Sequence, residues 1–418
     1  MKILWHSNAP WAATGYGQQT QVFAPRLAEA GHDVAVSAFY GLNGSRLEWL
    51  GLPVYPGGTD MYGNDVVMAH AAQFFEGEID SGLILTLTDT WVLDAERLSR
   101  ANVASWTPVD HDPVPPKVAK FFERSGAIPI AMSKFGEKAL RAVGLDPLYV
   151  PHGVDRKELY PEPVELAREQ LGIPKDKFVV GMVAANKGTP SRKAIPEALR
   201  AFKTLHDKHD DAMLYLHMEA TGVMQGVNVN ALLAQLEIPP EAVMFVNQYQ
   251  HVVLGVAPVG MRLAYSAMDV LLNPSYGEGF GVPIIEAQAC GTPVIVNNCT
   301  AMTELAGAGW MVSSQPSWTY QSSWQFAPNI ERIEWALNEA YESRTKASLH
   351  NAAVAFAAEY DAEKVLTDYW IPALTEIARR ISAPAPEADE QIEVVTPDLI
   401  LPPGVKVDPE ITQAKGAA

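Results

Sequence analysis

Two series of short apolar runs, alternating with amphipathic stretches, constrain this chain more than any other feature. The first series reads KILW, DVAVSAF, VVMAH, LILTLT, VASWTPV, IPIAMS and LYVPHG. The second reads FVVGMVAAN, AMLYLHM, VMFVN, DVLLNPS and TPVIVNN. Each run is rich in Val, Ile and Leu and is bounded by Gly, Pro, Asn or Asp, which is how a buried strand reads. Strands that are apolar along their whole length are buried on both faces, so parallel sheets covered by helices follow. A helical pattern over residues 18–30 closes at Gly31 and contains Pro25, which kinks it or restricts its first half. Three further helical stretches follow the second series, over residues 329–343, 346–359 and 362–382.

The polar, proline-rich stretch PHGVDRKELYPEPVELAREQLGIPKDK separates the two series. The expected fold class is therefore α/β, with two Rossmann-like parallel-sheet domains facing a cleft. Their bounds are residues 1–155 and 177–345, joined by a linker over 156–176. Helices over 346–382 are expected to pack back on the body, and residues 383–418 to form an acidic tail. That tail has seven acidic residues, two lysines, six prolines and no aromatic residue, a composition that cannot offset its ordering entropy and reads as disordered. In doubly wound sheets ligands bind beyond the carboxyl ends of the strands, which puts the site in the cleft.

The net charge is −18, and the body without its tail still carries about −13, which opposes wholesale binding to nucleic acid. No apolar run is long enough to cross a membrane, and the start MKILWHSN lacks the apolar core of a secretion signal. Two cysteines, Cys290 and Cys299, make no disulfide framework, so a reducing, cytoplasmic setting is expected. Composition leaves the oligomeric state open.

The stretch YGEGFGVPIIEAQACGTPVIV, residues 276–296, joins a strand to a helix through a glycine loop. Pro283 sits where a helix begins. Such a loop offers free backbone N–H groups and the positive end of a helix dipole to a phosphate, which places Gly279, Phe280 and Gly281 at a donor ligand. Glu286, one turn into the helix, suits a ribose diol, and Glu278 suits a sugar hydroxyl. In NAPWAATGYG, Gly15 and Gly17 permit close backbone approach to a ligand. The aromatic residues Trp5, Trp11, Tyr16, Trp91 and Trp106 offer stacking surfaces for a sugar ring or a base, or are core; Trp11 and Tyr16 are the acceptor contacts expected here. In WTPVDHDPVPP, His111 stands between Asp110 and Asp112, as a metal ligand, a charge-satisfied loop residue or a substrate contact. His206 and His209, among Asp207, Asp210 and Asp211, read as a solvated helix end. No zinc spacing, P-loop, Ser/His/Asp pattern or clean dinucleotide-binding glycine motif is present.

The segment from Tyr276 to Val296 resembles the E-x7-E signature of family 4 retaining glycosyltransferases, which have the GT-B fold. SNAPWAATGYGQQT resembles the family's N-terminal glycine loop, PHGVD its interdomain segment, and AANKGTPSRKAIPEALRAF its basic diphosphate loop. The resemblance runs over residues 1–382. It implies that Glu278 and His111 contact the donor sugar and Glu286 the nucleotide ribose. It also implies that no metal or cofactor is needed beyond a nucleotide-sugar co-substrate, with UDP-glucose favoured. Arg192 and Lys193 are placed to neutralise the departing diphosphate. The family's Arg-then-Lys pattern is broken, because Asn186 or Lys187 stands at its first position; Lys187 is retained as a donor contact. The expected acceptor is a hydroxyl of a glycan, lipid, small molecule or protein. Alternatives are a DNA glycosyltransferase acting on 5-hydroxymethyl pyrimidines, a nucleotide-sugar epimerase, and a non-catalytic nucleotide-sugar-binding protein. Two-carboxylate glycoside hydrolysis is disfavoured, since it needs no basic diphosphate loop.

Overall fold

The computed structural model describes residues 1–382, and the expected acidic tail lies outside them. The first half of the chain builds β1 (Lys2–Asn8), β2 (Asp33–Tyr40), β3 (Leu47–Trp49), β4 (Leu52–Tyr55), β5 (Gly82–Leu87), β6 (Val103–Thr107), β7 (Ile128–Ala131) and β8 (Leu148–Tyr149), all but β3 and β4 from runs of the first series. They form one sheet in the order β3-β4-β2-β1-β5-β6-β7-β8, parallel except where β3 pairs antiparallel with β4. The second series builds β9 (Phe178–Val183), β10 (Ala212–His217), β11 (Val243–Phe245), β12 (Val270–Asn273) and β13 (Val294–Asn297), and β14 (Gly309–Val312), which was not among the expected strands, joins them. Their sheet is wholly parallel, in the order β11-β10-β9-β12-β13-β14. Residues Met1–Ile381 form one compact unit that contains both sheets. β15 (Ser314–Trp318) and β16 (Trp324–Pro328) make a separate antiparallel hairpin.

One run departs from its expected state. VVMAH lies in the helix Val67–Phe74, not in a strand. Its buried positions Val67, His70 and Ala71 stand three and four apart, a helical spacing that continues into Ala-Ala-Gln-Phe. The short antiparallel β3 and β4 had no counterpart among the expected strands. The first helix, Gly15–Glu29, continues through Pro25.

Two crossings tie the sheets together. After β8 the chain passes through His152 and Gly153, where Gln19 Nε2 donates to Gly153 O (2.9 Å) and Gly153 N donates to Gln19 Oε1 (3.0 Å). The chain returns through the helix Ala362–Val365, where Val154 N donates to Tyr360 O and Ala362 N to Val154 O, each at 2.9 Å. Trp370 then enters the first sheet's core, with ring centroids 5.8 Å from Trp5, 4.8 Å from Trp106 and 5.9 Å from Phe23. This cluster decides between the two readings of Trp5 and Trp106 in favour of core. Both are fully buried, and their indole N–H groups donate to Thr20 Oγ1 (3.0 Å) and Val150 O (2.8 Å).

Candidate active site

Loops that follow β1, β5, β6, β9 and β12 bring their polar residues together at the carboxyl ends of the strands, where parallel sheets bind ligands. Two of these loops belong to neighbouring strands of the second sheet. The loop after β12 carries Glu278 and the loop after β9 carries Arg192 and Lys193, with Tyr276 N donating to Arg192 O at 2.8 Å. Tyr276 also donates its hydroxyl to Glu197 Oε1 (2.6 Å), on the helix that follows the basic pair.

Glu278 is 6 % exposed and its carboxylate is shared by both cations. Arg192 Nη1 donates to Glu278 Oε2 at 3.1 Å and to Gly277 O, and Lys193 Nζ donates to Glu278 Oε1. Burial alone would raise the Glu278 carboxyl, but Lys193 and Arg192 outweigh it and hold it down at about 2. Burial lowers the Lys193 ammonium and Arg192 adds to that, with Glu278 opposing both. The backbone beside this cluster is strained at two non-glycine residues in the left-handed region, Ala194 (φ 54°) and Thr300 (φ 48°). Thr300 Oγ1 accepts the Glu278 N–H at 3.0 Å, so this strained residue positions the glutamate's backbone.

The glycines of the loop serve contact between the domains. A Cβ on Gly277 would lie 2.2 Å from Asp110 O, and one on Gly279 would lie 2.3 Å from Pro108 Cβ. Only bare backbone lets this loop meet the first domain's Pro108–Asp110 segment. Gly281 adopts φ 111° as the N-cap of the helix Val282–Ala289, in which Pro283 lies within the first two positions. Phe280 is buried and stacks on His152 (5.0 Å between centroids, 22° between planes), so its ring belongs to the domain contact. Gly17 likewise has a reason within its own loop, since its Cβ would lie 2.3 Å from Ala12 O; a Cβ on Gly15 would meet open space. Thr14 caps the same helix by accepting Gly17 N at 3.0 Å and is itself fixed by Asn8 Nδ2 at 2.6 Å.

His111 is 2 % exposed, and its Nδ1 lies 2.6 Å from Asp110 Oδ1. A proton held there leaves Nε2 as the hydrogen-bond acceptor. Asp110 Oδ2 is also 3.8 Å from Arg192 Nη1, so the first domain's aspartate and the second domain's arginine meet. Burial pushes the Asp110 carboxyl up, but the His111 hydrogen bond and Arg192 bring it below its usual value. Tyr16 is close enough to this group that burial, Asp89 and Asp110 together raise its hydroxyl well above the ordinary phenol range. Trp11 is exposed and donates its indole N–H to Gly41 O at 2.7 Å.

Glu286 is 5 % exposed on the helix Val282–Ala289 and accepts the Tyr265 hydroxyl at 2.7 Å. Burial pushes its carboxyl up to about 7 against the effect of that hydrogen bond. Asn186 is buried and locks its loop, donating to Glu219 O (2.8 Å) and Val227 O (2.7 Å) and accepting Val227 N (2.8 Å). Lys187 is exposed beside it. His206 stacks on Phe202 and bonds Ala212 O at 3.0 Å, while His209 stacks on Tyr341.

Sequence reasoning missed Asp89, just beyond β5. Burial and Asp110 push its carboxyl up to about 6, countered by Arg192, Lys187 and a hydrogen bond from Tyr16. The signal was available: an aspartate just past the carboxyl end of a parallel strand, two residues beyond β5 as Asp110 is three beyond β6. Among the described residues no group of three or more His, Cys, Asp or Glu side chains is arranged to hold a metal ion.

Residues 177–333 match the family model described as glycosyl transferases group 1, a span that holds Arg192, Lys193, Glu278 and Glu286. The D-inositol 3-phosphate glycosyltransferase of Corynebacterium jeikeium (strain K411) is 33% identical over 150 residues, 35% of this chain and 34% of that protein. The chain thus spans about a third of that curated relative's length. Sucrose-phosphate synthase from Thermosynechococcus elongatus has the same fold, with a TM-score of 0.71 and 18% identity over 91% of this chain and 100% of that one. The Anabaena protein HepE, solved in complex with UDP-glucose, aligns with a TM-score of 0.64 and 17% identity over 90% of this chain and 100% of that one. The two-sheet α/β architecture is therefore that of GT-B glycosyltransferases.

Proposed function

We propose that this protein is a retaining glycosyltransferase that moves a sugar from a nucleoside diphosphate donor to an acceptor hydroxyl. One cluster carries the proposal: Arg192 and Lys193 oriented by the buried carboxylate of Glu278, directly across from the His111–Asp110 pair of the other domain. A diphosphate leaving group needs fixed cations where its charge develops, and cations already held in place need no reorganisation at the moment of reaction. Glu286, buried one turn into the adjoining helix, accepts hydrogen bonds from the ribose diol. UDP-glucose is the favoured donor, in keeping with the HepE complex.

The cluster's residues supply the parts of a same-face transfer. The bond from the sugar's anomeric carbon to the diphosphate oxygen breaks as the acceptor oxygen bonds to that carbon. The acceptor's proton passes to the departing phosphate oxygen. Arg192 and Lys193 stabilise the diphosphate, while Glu278 and His111 hold the sugar between them. Asp89, with its carboxyl pushed up to about 6, and Tyr16 are the further first-domain groups that interact with Arg192 and Asp110. Closure of the domains over the donor excludes water, the competing nucleophile.

A hydrolysis screen of UDP-, GDP- and ADP-sugars without acceptor tests this. One donor is expected to be cleaved slowly, and an acceptor screen with that donor follows. Release of an epimerised donor would assign the epimerase reaction instead, and failure to bind any nucleotide sugar would end the proposal.

A further inference from the structure

The hairpin β15–β16 belongs to neither sheet, yet it is fastened to both halves of the cleft. Trp324 N donates to Asp112 O (3.1 Å) and Asp112 N to Trp324 O (3.0 Å), next to His111. Two residues on, Phe326 N donates to Tyr276 O at 2.8 Å, beside the Glu278 loop. Asn297 Nδ2 donates to Phe326 O at 2.7 Å, and Ser323 Oγ donates to Pro113 O. β16 is thus clamped between the two loops that carry the proposed donor-sugar contacts.

The hairpin's outer end is aromatic and open. Trp318 and Trp324 are directly opposed across the strands with centroids 4.8 Å apart, so they share one face. They are 58 % and 40 % exposed, and Tyr320 in the turn is 85 % exposed. An aromatic group of this size left in water at the mouth of a cleft marks a contact surface. No charged residue lies between Glu304 and Glu331, so the surface is uncharged as well as aromatic. The side chains deeper in the cleft, Asp89 and Asp110, are carboxylates. The hairpin itself offers a polyanion no cation, and it suits a polyol whose ring C–H face stacks on an indole while its hydroxyl edge donates to carboxylates.

We propose that the β15–β16 hairpin is an acceptor subsite for an uncharged oligosaccharide, one ring of which stacks on Trp318 and Tyr320 while its terminal hydroxyl points toward His111. This deepens the proposed function and rests on it. The backbone clamp alone would fix the domains together, but it requires nothing of the exposed side chains.

The test presents the full chain, with UDP added, to an array of neutral glycans, alongside inositol 3-phosphate and hydroxymethylcytosine-containing duplex DNA. The best glycan is then titrated by tryptophan fluorescence or calorimetry. Binding of a neutral glycan is expected, and the Trp318→Ala/Tyr320→Ala double variant is expected to bind it about tenfold more weakly or worse, as for loss of an aromatic anchor. Trp318→Phe with Tyr320→Phe restores much of the affinity, and UDP affinity is the same in every variant. Equal glycan binding by parent and double variant, binding of only the phosphate or the DNA, or no binding of any of the three overturns the subsite. Loss of UDP binding by the parent itself strikes the donor reading instead, so the two failures separate.

Discussion

Glu286→Gln is expected to make the protein more stable and less able to bind its donor. A glutamate carboxyl ordinarily ionises near 4.5, whereas burial pushes Glu286 up to about 7. Between those values the unfolded chain has released a proton that the folded chain still holds, so stability falls as pH rises through that window. Above pH 7 the cost of the buried charge is fully in place and amounts to about 3 kcal/mol. Glutamine never ionises and keeps an oxygen to accept the Tyr265 hydroxyl, which now bonds the carboxylate at 2.7 Å. The variant should therefore exceed the parent by about 2–3 kcal/mol at pH 8 and by nothing near pH 4.5. For a chain of this size the gain corresponds to a Tm about 3 °C higher. Meanwhile its UDP affinity should fall roughly tenfold to a hundredfold, through loss of charge-assisted hydrogen bonds to the ribose. Thermal melts of both proteins across pH 4.5 to 8 and calorimetry with UDP measure the two halves. Coincident melts at pH 8, or a gain that persists undiminished at pH 4.5, would refute the electrostatic account. Unchanged UDP affinity would remove Glu286 from the ribose.

Glu278→Gln should move the other way: its carboxyl is held down at about 2, so its contribution is present above pH 4.5 and is lost as pH falls toward 2. Its melting deficit at pH 7 should accordingly shrink on acidification, and a constant deficit would count against the ion cluster. Lys193→Ala is expected to cut turnover at saturating donor by about 10²-fold, as for loss of one donor to a developing anion. Near-normal single-turnover rates would exclude it from that role. Gly279→Ala forces a methyl to within 2.3 Å of Pro108 Cβ, so it should depress both Tm and transfer rate. Parent-like transfer would show that the two loops can separate without consequence.

The parallel sheets, the glycine loop before Pro283 and the positions of Glu278, Glu286, Arg192 and Lys193 were legible in the sequence because each depends on short spacing. Apolar runs with turn residues at their ends specify buried strands, and charged residues just beyond them fall at carboxyl ends whatever the rest of the chain does. VVMAH was ambiguous for the same reason, because a five-residue apolar run fits either period until its continuation is weighed. Trp5 and Trp106 read equally as core or surface until Trp370, from the far end of the chain, closed over them. Only tertiary structure decided that Glu278 orients both cations. β9 and β12 are neighbours in the second sheet although two other strands separate them in sequence, and that adjacency sets the two loops side by side. The same holds for Asp110 meeting Arg192 and for the hairpin clamped between Asp112 and Tyr276. These pairings depend on distances across the folded cleft, which local pattern does not encode.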